Sequence, residues 1–576
     1  MLRCRIHIGA WNTRNPTFRQ WGHSVLILAL SLGAFSGVPG GLSAAPIPPP
    51  PARTGSLDSS KPSQALAPPS QTQPASKPGA KPAKKPLSKT ESPATPGQTP
   101  RSAPGLDSRI AALLDEEGLK TSEVGLALYS TAQRRYLHRH LSEQPLIAAS
   151  NIKIITSFTA LRALSPDYRW RTRIYRVEEQ DDAGGPVRQG VLIQGTGDPT
   201  LGVADFDKLA LVLRSLGLDR LDGGLYLDAR LYDHPSTTPG GYGTGGSQAW
   251  AGAVWSAPVS PFVALGNLVE VVISNPGPGQ FTVRSSLEGM VVESRLKPES
   301  GHQPRVGITQ DWSGPQGRLV VSGGMPEGME PYFLAAAVDS PIRYFHAVLR
   351  DRLHRGGIQG ELPLRTEIPP SLRRYYIHTL ISPPLREVLR EVNKESNNLA
   401  AESLLRSMGR QERDQGITTE DGLKVVRTVL QREMPALAGQ ATLVDGSGLN
   451  RGGLASPRLL VNLLLAVFRD FGIKAEFLNS LSRSGEDGTL QFREFPAHMR
   501  GRVRAKTGTL AGVSNLTGFL ELPEDVVIFS FLINAPNRPG LALQHSQDRV
   551  LTGIYNFLSG TPPPQKSPVP GKAPSR

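Results

Sequence analysis

Ser150 and Lys153 stand three residues apart in Ser150-Asn151-Ile152-Lys153. On a helix, residues at that spacing share a face one turn apart, which sets a hydroxyl beside an amine. A serine hydroxyl is a poor nucleophile until a base takes its proton. Lysine is such a base only when neutral: at its ordinary pKa roughly four in ten thousand are neutral at pH 7, and at a pKa near 8 about one in ten. Burial and a second nearby cation both push a lysine in that direction. Ile147, Ala148, Ala149, Ile152, Ile154 and Ile155 surround the pair with apolar neighbours. At the start of its helix, Ser150 also sits where the helix N-terminus favours developing negative charge. The bland alternative is an N-capping serine followed by a solvated lysine.

Two further segments carry groups that fit the same chemistry. Ser396-Asn397-Asn398 is the single Ser-x-Asn of the chain, and Lys506-Thr507-Gly508 its single Lys-Thr-Gly. Lys506 is a candidate for the second cation. Gly508 lets another backbone approach closely, and Thr507 and Thr509 offer hydroxyls that, with Lys506, suit a carboxylate. Taken singly, Ser396–Asn398 reads as a helix cap and Lys506 as a strand end. A Ser-x-x-Lys alone also arises by chance in a chain this long. The three segments in this order point to one nucleophilic serine site.

Other chemistries are disfavoured. The 576 residues contain one cysteine, Cys4, so neither a disulfide framework nor a multi-cysteine metal site is available. There is no His-Glu-x-x-His. His138 and His140 share a strand face but lack a third ligand. Gly195-Thr196-Gly197 lacks the last glycine of a dinucleotide fingerprint. Ala505 stands where a phosphate loop has Gly before its Lys, and no Gly-x-Ser-x-Gly elbow occurs. No metal or cofactor is expected. The net charge of +14 resembles that of a nucleic-acid binder, but residues 1–104 carry +10 and residues 561–576 carry +3, leaving +1 for 105–560. A basic groove for nucleic acid is therefore not expected.

The elements that must position these residues follow from periodicity and punctuation. Helical spacing covers Asp107–Gly118, Ser150–Leu164, Pro384–Asn393, Asn398–Met408, Thr418–Glu433, Ser456–Phe471 and about Leu543–Leu558. Strand patterns cover Val124–Tyr129, Tyr136–His138, Arg502–Thr507, Val513–Glu521 and Val526–Asn534. Between Trp170 and Pro363 short strand-like stretches alternate with Gly/Pro turns: Thr172–Val177, Gly190–Gln194, Gly224–Leu227, Val269–Ile273 and Gly317–Val321. Near the N-terminus, Arg14 and Arg19 precede an apolar run from Val25 to Val38 and a Ser43-Ala44-Ala45 cleavage pattern, which reads as an export signal. That run of about 14 residues is short of the roughly 20 a membrane span needs; an uncleaved anchor is the alternative. Residues 46–104 hold sixteen prolines in 59 positions, a composition for a semi-extended linker.

Ser150-x-x-Lys153, Ser396-x-Asn398 and Lys506-Thr507-Gly508 together resemble the signature of penicillin-recognising serine enzymes. The gaps between them are 246 and 110 residues, and a compact β-lactamase has no room for so long a first gap. The chain resembles the D-alanyl-D-alanine carboxypeptidase/endopeptidase family of low-molecular-mass penicillin-binding proteins, in which β-rich domains follow the Ser-x-x-Lys helix. Gly195–Leu201, Asp445-Gly446-Ser447-Gly448-Leu449 and Ser484–Leu490 resemble the family as well, over about 105–560. Asn151, where the family has Thr, departs from it.

The resemblance implies an α+β fold: a penicillin-binding/β-lactamase-like domain, an antiparallel sheet between helices, split by a β-rich insertion. The expected division is a signal peptide at 1–45, a linker at 46–104, catalytic parts at 105–168 and 374–560, an inserted region at 169–373 and a disordered tail at 561–576. Ser150 would attack the carbonyl between two terminal D-alanines of a peptidoglycan stem peptide, with Lys153 taking its proton. Backbone N–H groups of Ser150 and Thr509 would form the oxyanion hole. Ser396 and Asn398 would relay a proton and hold the substrate amide, and Lys506, Thr507 and Thr509, beside Gly508, would orient the carboxylate. β-Lactams would acylate Ser150. The expected setting is exported, in the periplasm or cell wall, with the basic tails available to lean on wall or membrane. Competing readings are a transpeptidase or β-lactamase-like hydrolase, a non-catalytic wall-binding scaffold and, from the isoelectric point alone, a polyanion binder.

Overall fold

The computed structural model describes residues 105–180, 185–233, 253–287, 289–314, 316–329 and 331–561. The expected signal peptide, linker and, from residue 562, C-terminal tail lie outside the described residues.

Val526–Asn534 is a near-continuous apolar run, and Val513–Glu521, though it carries Ser514, Asn515 and Thr517, is buried along nearly its whole length, because their sheet is covered on both faces. This antiparallel sheet has six strands, in the order Ser482–Arg483, Val503–Leu510, Val513–Glu521, Val526–Asn534, Val124–Ser130 and Arg135–His140. Successive side chains alternate between its faces. Phe529, Phe531, Ile533, Leu126 and Leu128 pack with the helices Leu106–Glu116 and Gly540–Ser559. Ala127, Ile528, Leu532 and Phe519 pack with the larger helical layer. At the centre of that layer is Ile152–Leu164, in which every residue from Ile152 to Leu161 is buried. A helix buried all round favours apolar residues all round; Thr156, Ser157 and Thr159 depart from this as small polar residues, and Lys153 is the charged exception. Its neighbours are Leu385–Asn393, Asn398–Met408, Thr419–Glu433 and Pro457–Arg469. The fold is thus the expected antiparallel sheet between helices.

The stretch between these parts has its own core. A mixed five-stranded sheet runs in the order Leu364–Arg365, Leu225–Asp228, Arg188–Gln194, Arg171–Glu179 and Arg373–Ile381. Two three-stranded sheets accompany it. Arg373–Ile381 begins at the expected catalytic boundary yet pairs along its length with Arg171–Glu179, so the inserted sheet continues to Ile381. The pattern of strands and turns missed two helices here, Val203–Ser215 and Pro341–Arg355, which pack on each other. The first buries Phe206, Leu209, Ala210 and Leu213, one helical face. The second starts with proline at its first position, where the missing N–H costs nothing. Among the described residues, no helix is long and apolar enough to cross a membrane.

Candidate active site

The Ser150 segment reaches the sheet through a single 3-10 turn, Ala149–Asn151, that leads into the Ile152–Leu164 helix. Ala149 is held at φ 47°, a left-handed conformation that costs a residue with a Cβ. The turn sits against the edge of Val503–Leu510. A Cβ on Gly508 would lie 2.8 Å from Asn151 Nδ2, 2.9 Å from the Ala148 carbonyl oxygen and 3.2 Å from Ser150 N. Glycine there is what lets strand and turn meet. Asn151 is buried and donates through Nδ2 to the Lys506 carbonyl at 3.3 Å. The residue that departs from the family pattern therefore ties the turn to the strand.

Lys153 has no exposed surface. Its Nζ donates to three acceptors: Ser150 Oγ at 2.9 Å, Asn398 Oδ1 at 2.6 Å and the Ser447 carbonyl at 2.8 Å. Burial pulls its pKa down to about 7, against the opposing pull of Asp445 and Glu402. At that value about half of the amine is neutral at pH 7.

Ser396 and Asn398 enter from the start of Asn398–Met408. The helix cap expected there is made by the residue between them: Asn397 Oδ1 accepts from Ala400 N at 3.0 Å. Ser396, at φ 59°, is turned out of the helix, and both flanking side chains are left for the cleft. Asn398 Nδ2 donates to the Trp255 carbonyl at 2.8 Å, so its amide is fixed at both ends.

Lys506 is likewise fully buried, and its Nζ donates to Ser396 Oγ and to the Thr507 carbonyl, both at 2.8 Å. Burial, and then Lys153, hold its pKa well below the ordinary lysine range, with Glu395 pulling the other way. Thr507 Oγ1 donates to Thr489 Oγ1 at 2.8 Å, and the exposed Thr509 accepts from Gln544 Nε2 at 3.2 Å. The three segments therefore meet: Lys153 contacts Ser150 and Asn398, Lys506 contacts Ser396, and Gly508 lies against the turn that carries Ser150. Two fully buried lysines each hold a half-buried serine, Lys153 on Ser150 and Lys506 on Ser396. Such an arrangement can activate a hydroxyl on one side and move a proton on the other.

Several groups here had no role in the sequence reading. Ser447 belongs to the Asp445–Leu449 stretch and Thr489 to Ser484–Leu490, both noted only as resemblances. Glu402 carried a weaker signal, the one charged residue in the mostly apolar run Leu399–Leu405. Trp255 carried none. A second Ser-x-x-Lys, Ser294 to Lys297, lies in the strand Val291–Pro298, where residues three apart face opposite ways. His138 is half-buried, its Nδ1 2.6 Å from Asp107 Oδ1, while His140 Nε2 lies 2.8 Å from the Thr121 carbonyl.

A family model described as the D-Ala-D-Ala carboxypeptidase 3 (S13) family matches residues 106–552. Among curated proteins, the chain is similar to a D-alanyl-D-alanine carboxypeptidase of Actinomadura sp. (strain R39), 27% identical over 76% of this chain and 82% of that one. It is also similar to the D-alanyl-D-alanine carboxypeptidase DacB of Haemophilus influenzae, 24% identical over 69% of this chain and 82% of that one. Among solved structures, penicillin-binding protein 4 (dacB) of Haemophilus influenzae shares the fold, with a TM-score of 0.64 and 20% identity over 78% of this chain and 99% of that one. The same protein has been solved in complex with a β-lactam.

Proposed function

For a chain that belongs to the D-Ala-D-Ala carboxypeptidase 3 (S13) family, and is thus a serine-type D-alanyl-D-alanine carboxypeptidase, we propose that Ser150 is the nucleophile and Lys153 its base. The observation that carries this reading is the 2.9 Å contact between Ser150 Oγ and an amine that is fully buried and half neutral near pH 7. Lys153 takes the hydroxyl proton as Oγ bonds to the carbonyl carbon of the penultimate D-alanine. The N–H groups of Ser150 and Thr509 receive the oxyanion. The C–N bond then breaks, and the leaving amine takes through Ser396 the proton that Lys153 received from Ser150, which returns Lys153 to its neutral form. Water opens the acyl-enzyme with the same base. Asn398 holds the substrate amide, and Lys506, Thr507 and Thr509 hold the terminal carboxylate beside Gly508. The 2.8 Å contact of Lys506 Nζ with Ser396 Oγ holds that hydroxyl in place for the relay.

When the amine belongs to a neighbouring stem peptide, the same steps open a cross-link, so we include endopeptidase activity. A β-lactam supplies the carbonyl without an amine that can diffuse away, and it remains on Ser150. The catalytic domain is assigned to 105–168 and 374–560, with 169–373 inserted and Arg373–Ile381 at the seam. Peptidoglycan lies outside the cytoplasm, so the chain is exported to the periplasm or wall under the signal at 1–45, and the basic tails are free to meet anionic wall or membrane.

Labelled-penicillin capture by the wild type and by Ser150→Ala tests the reading. Capture by the wild type and none by the variant is expected, with the adduct mapped to Ser150 by mass spectrometry. Capture by the folded variant would refute it. Incubation with a pentapeptide and with a cross-linked wall fragment should release D-alanine from the first and open the second. Joining of peptides as the main outcome would indicate a transpeptidase.

A further inference from the structure

Glu402 is four residues past Asn398 on Asn398–Met408, so the two share a face. Only 4% of its surface is exposed. One oxygen, Oε1, accepts from both Gly446 N at 2.9 Å and Ser447 N at 2.8 Å. The carbonyls of the same two residues point the other way, toward the Ser150 helix: Gly446 O accepts from Thr156 Oγ1 at 2.7 Å and Ser447 O accepts from Lys153 Nζ at 2.8 Å. Asp445 closes the far side of this turn, accepting from Gly448 N at 2.7 Å and Asn450 N at 2.9 Å. Gly448 must be glycine: at φ 75°, a Cβ would fall 1.8 Å from the Ala149 carbonyl oxygen. One helix thus supplies two of the three acceptors around Lys153, Asn398 directly and Ser447 through Glu402.

We propose that Glu402, backed by Asp445, is a positioning residue for acyl transfer: it clamps the Gly446–Ser447 turn onto Lys153 and places negative charge behind that amine. The inference rests on Lys153 being the base. A buried carboxylate with two N–H donors needs no lysine to be satisfied, so its charge remains available to the amine. The ionisable groups that act on Lys153 are Asp445 from the turn, Glu402 from the helix and, from the strand side, Lys506, a like charge that is itself faced by Glu395. Glu402 and Asp445 repel one another, and burial raises both carboxyls above their ordinary range. Their charge favours the protonated amine and so opposes the effect of burial on Lys153. The clamp therefore decides where Lys153 sits and how acidic a medium leaves it neutral.

Two variants separate these roles, read by the rate of penicillin acylation against pH, with thermal melting as the check on folding. Glu402→Gln keeps an oxygen for both N–H groups and removes the charge. Its acylation should keep a plateau within a few-fold of the wild type, while the acid limb moves roughly one unit toward lower pH. Glu402→Asp keeps the charge and withdraws the oxygen by one methylene. Its limb should stay in place while the plateau falls about tenfold or more, a loss typical of a misplaced catalytic group. A Glu402→Gln limb that coincides with the wild type overturns the electrostatic part. A Glu402→Asp plateau equal to the wild type overturns the clamp, and stands as a test even if Glu402→Gln fails to fold. If Lys153→Ala were acylated at the wild-type rate, the base assignment would fail, a result separate from either of these.

Discussion

A lysine amine shut away from water loses hydration that favours its charged form, and Lys153 offsets that loss with three acceptors, all of them neutral. Neutral acceptors satisfy the N–H groups without anchoring the positive charge as an adjacent carboxylate would. This is how a residue with an ordinary pKa near 10.4 becomes a base at neutral pH. The sign of the pH dependence follows. Below about 7 the amine holds its proton and cannot accept one from Ser150. Acylation by penicillin should therefore rise with pH, reach half its maximum near that value and level off above it, as a stopped-flow or gel-capture series would record. Lys153→Arg should lose acylation by roughly 10²–10⁴-fold at every pH, because a guanidinium stays protonated. Gly508→Ala is a second residue-scale case. Its new methyl would press on Asn151 and the Ala148 carbonyl. A stability loss of about 1–3 kcal/mol in a denaturant melt, with a larger proportional loss of acylation, is expected.

Among the elements, the most informative is Asn398–Met408, whose start and end match the periodic pattern in the sequence. The strands Val513–Glu521 and Val526–Asn534 were equally legible, since the second is a long apolar run, the first carries Val513, Leu516, Phe519 and Leu520, and the Leu522–Asp525 turn cuts them. The cleft itself was legible as three short segments because its chemistry requires those residue types at those spacings. Two kinds of feature were not. Val203–Ser215 and Pro341–Arg355 were hidden by the glycines and prolines around them, although Phe206, Leu209, Ala210 and Leu213 follow helical spacing. Glu402 was hidden because its partners are backbone N–H groups more than forty positions away, which no side-chain pattern encodes. The cap of the Asn398 helix gives the prediction at this scale. Asn397→Ala removes the acceptor for Ala400 N and should cost about 1 kcal/mol in thermal or urea unfolding. It should also slow acylation, since Ser396 and Asn398 flank the cap; Asn397→Asp or Asn397→Ser, which also cap, should restore both.

For the molecule as a whole, charge is divided between ends and body. Residues 105–560 carry +1 of the total +14, so binding to DNA or another polyanion should reside in the tails. A chain cut to 105–560 is expected to lose salt-sensitive DNA binding while it keeps penicillin capture. Retention of strong binding, measured by a salt titration, would place a basic surface on the body instead.

The Trp255 carbonyl that meets Asn398 lies 143 positions upstream of it, in the inserted stretch. That single bond makes the carboxamide a pivot with one hand in each half of the chain. Shortening the enzyme to a minimal penicillin-binding core would therefore do more than strip away bulk. It would let the amide swivel about its remaining contact with Lys153, and a trimmed enzyme could stay folded and penicillin-reactive while losing its grip on peptides.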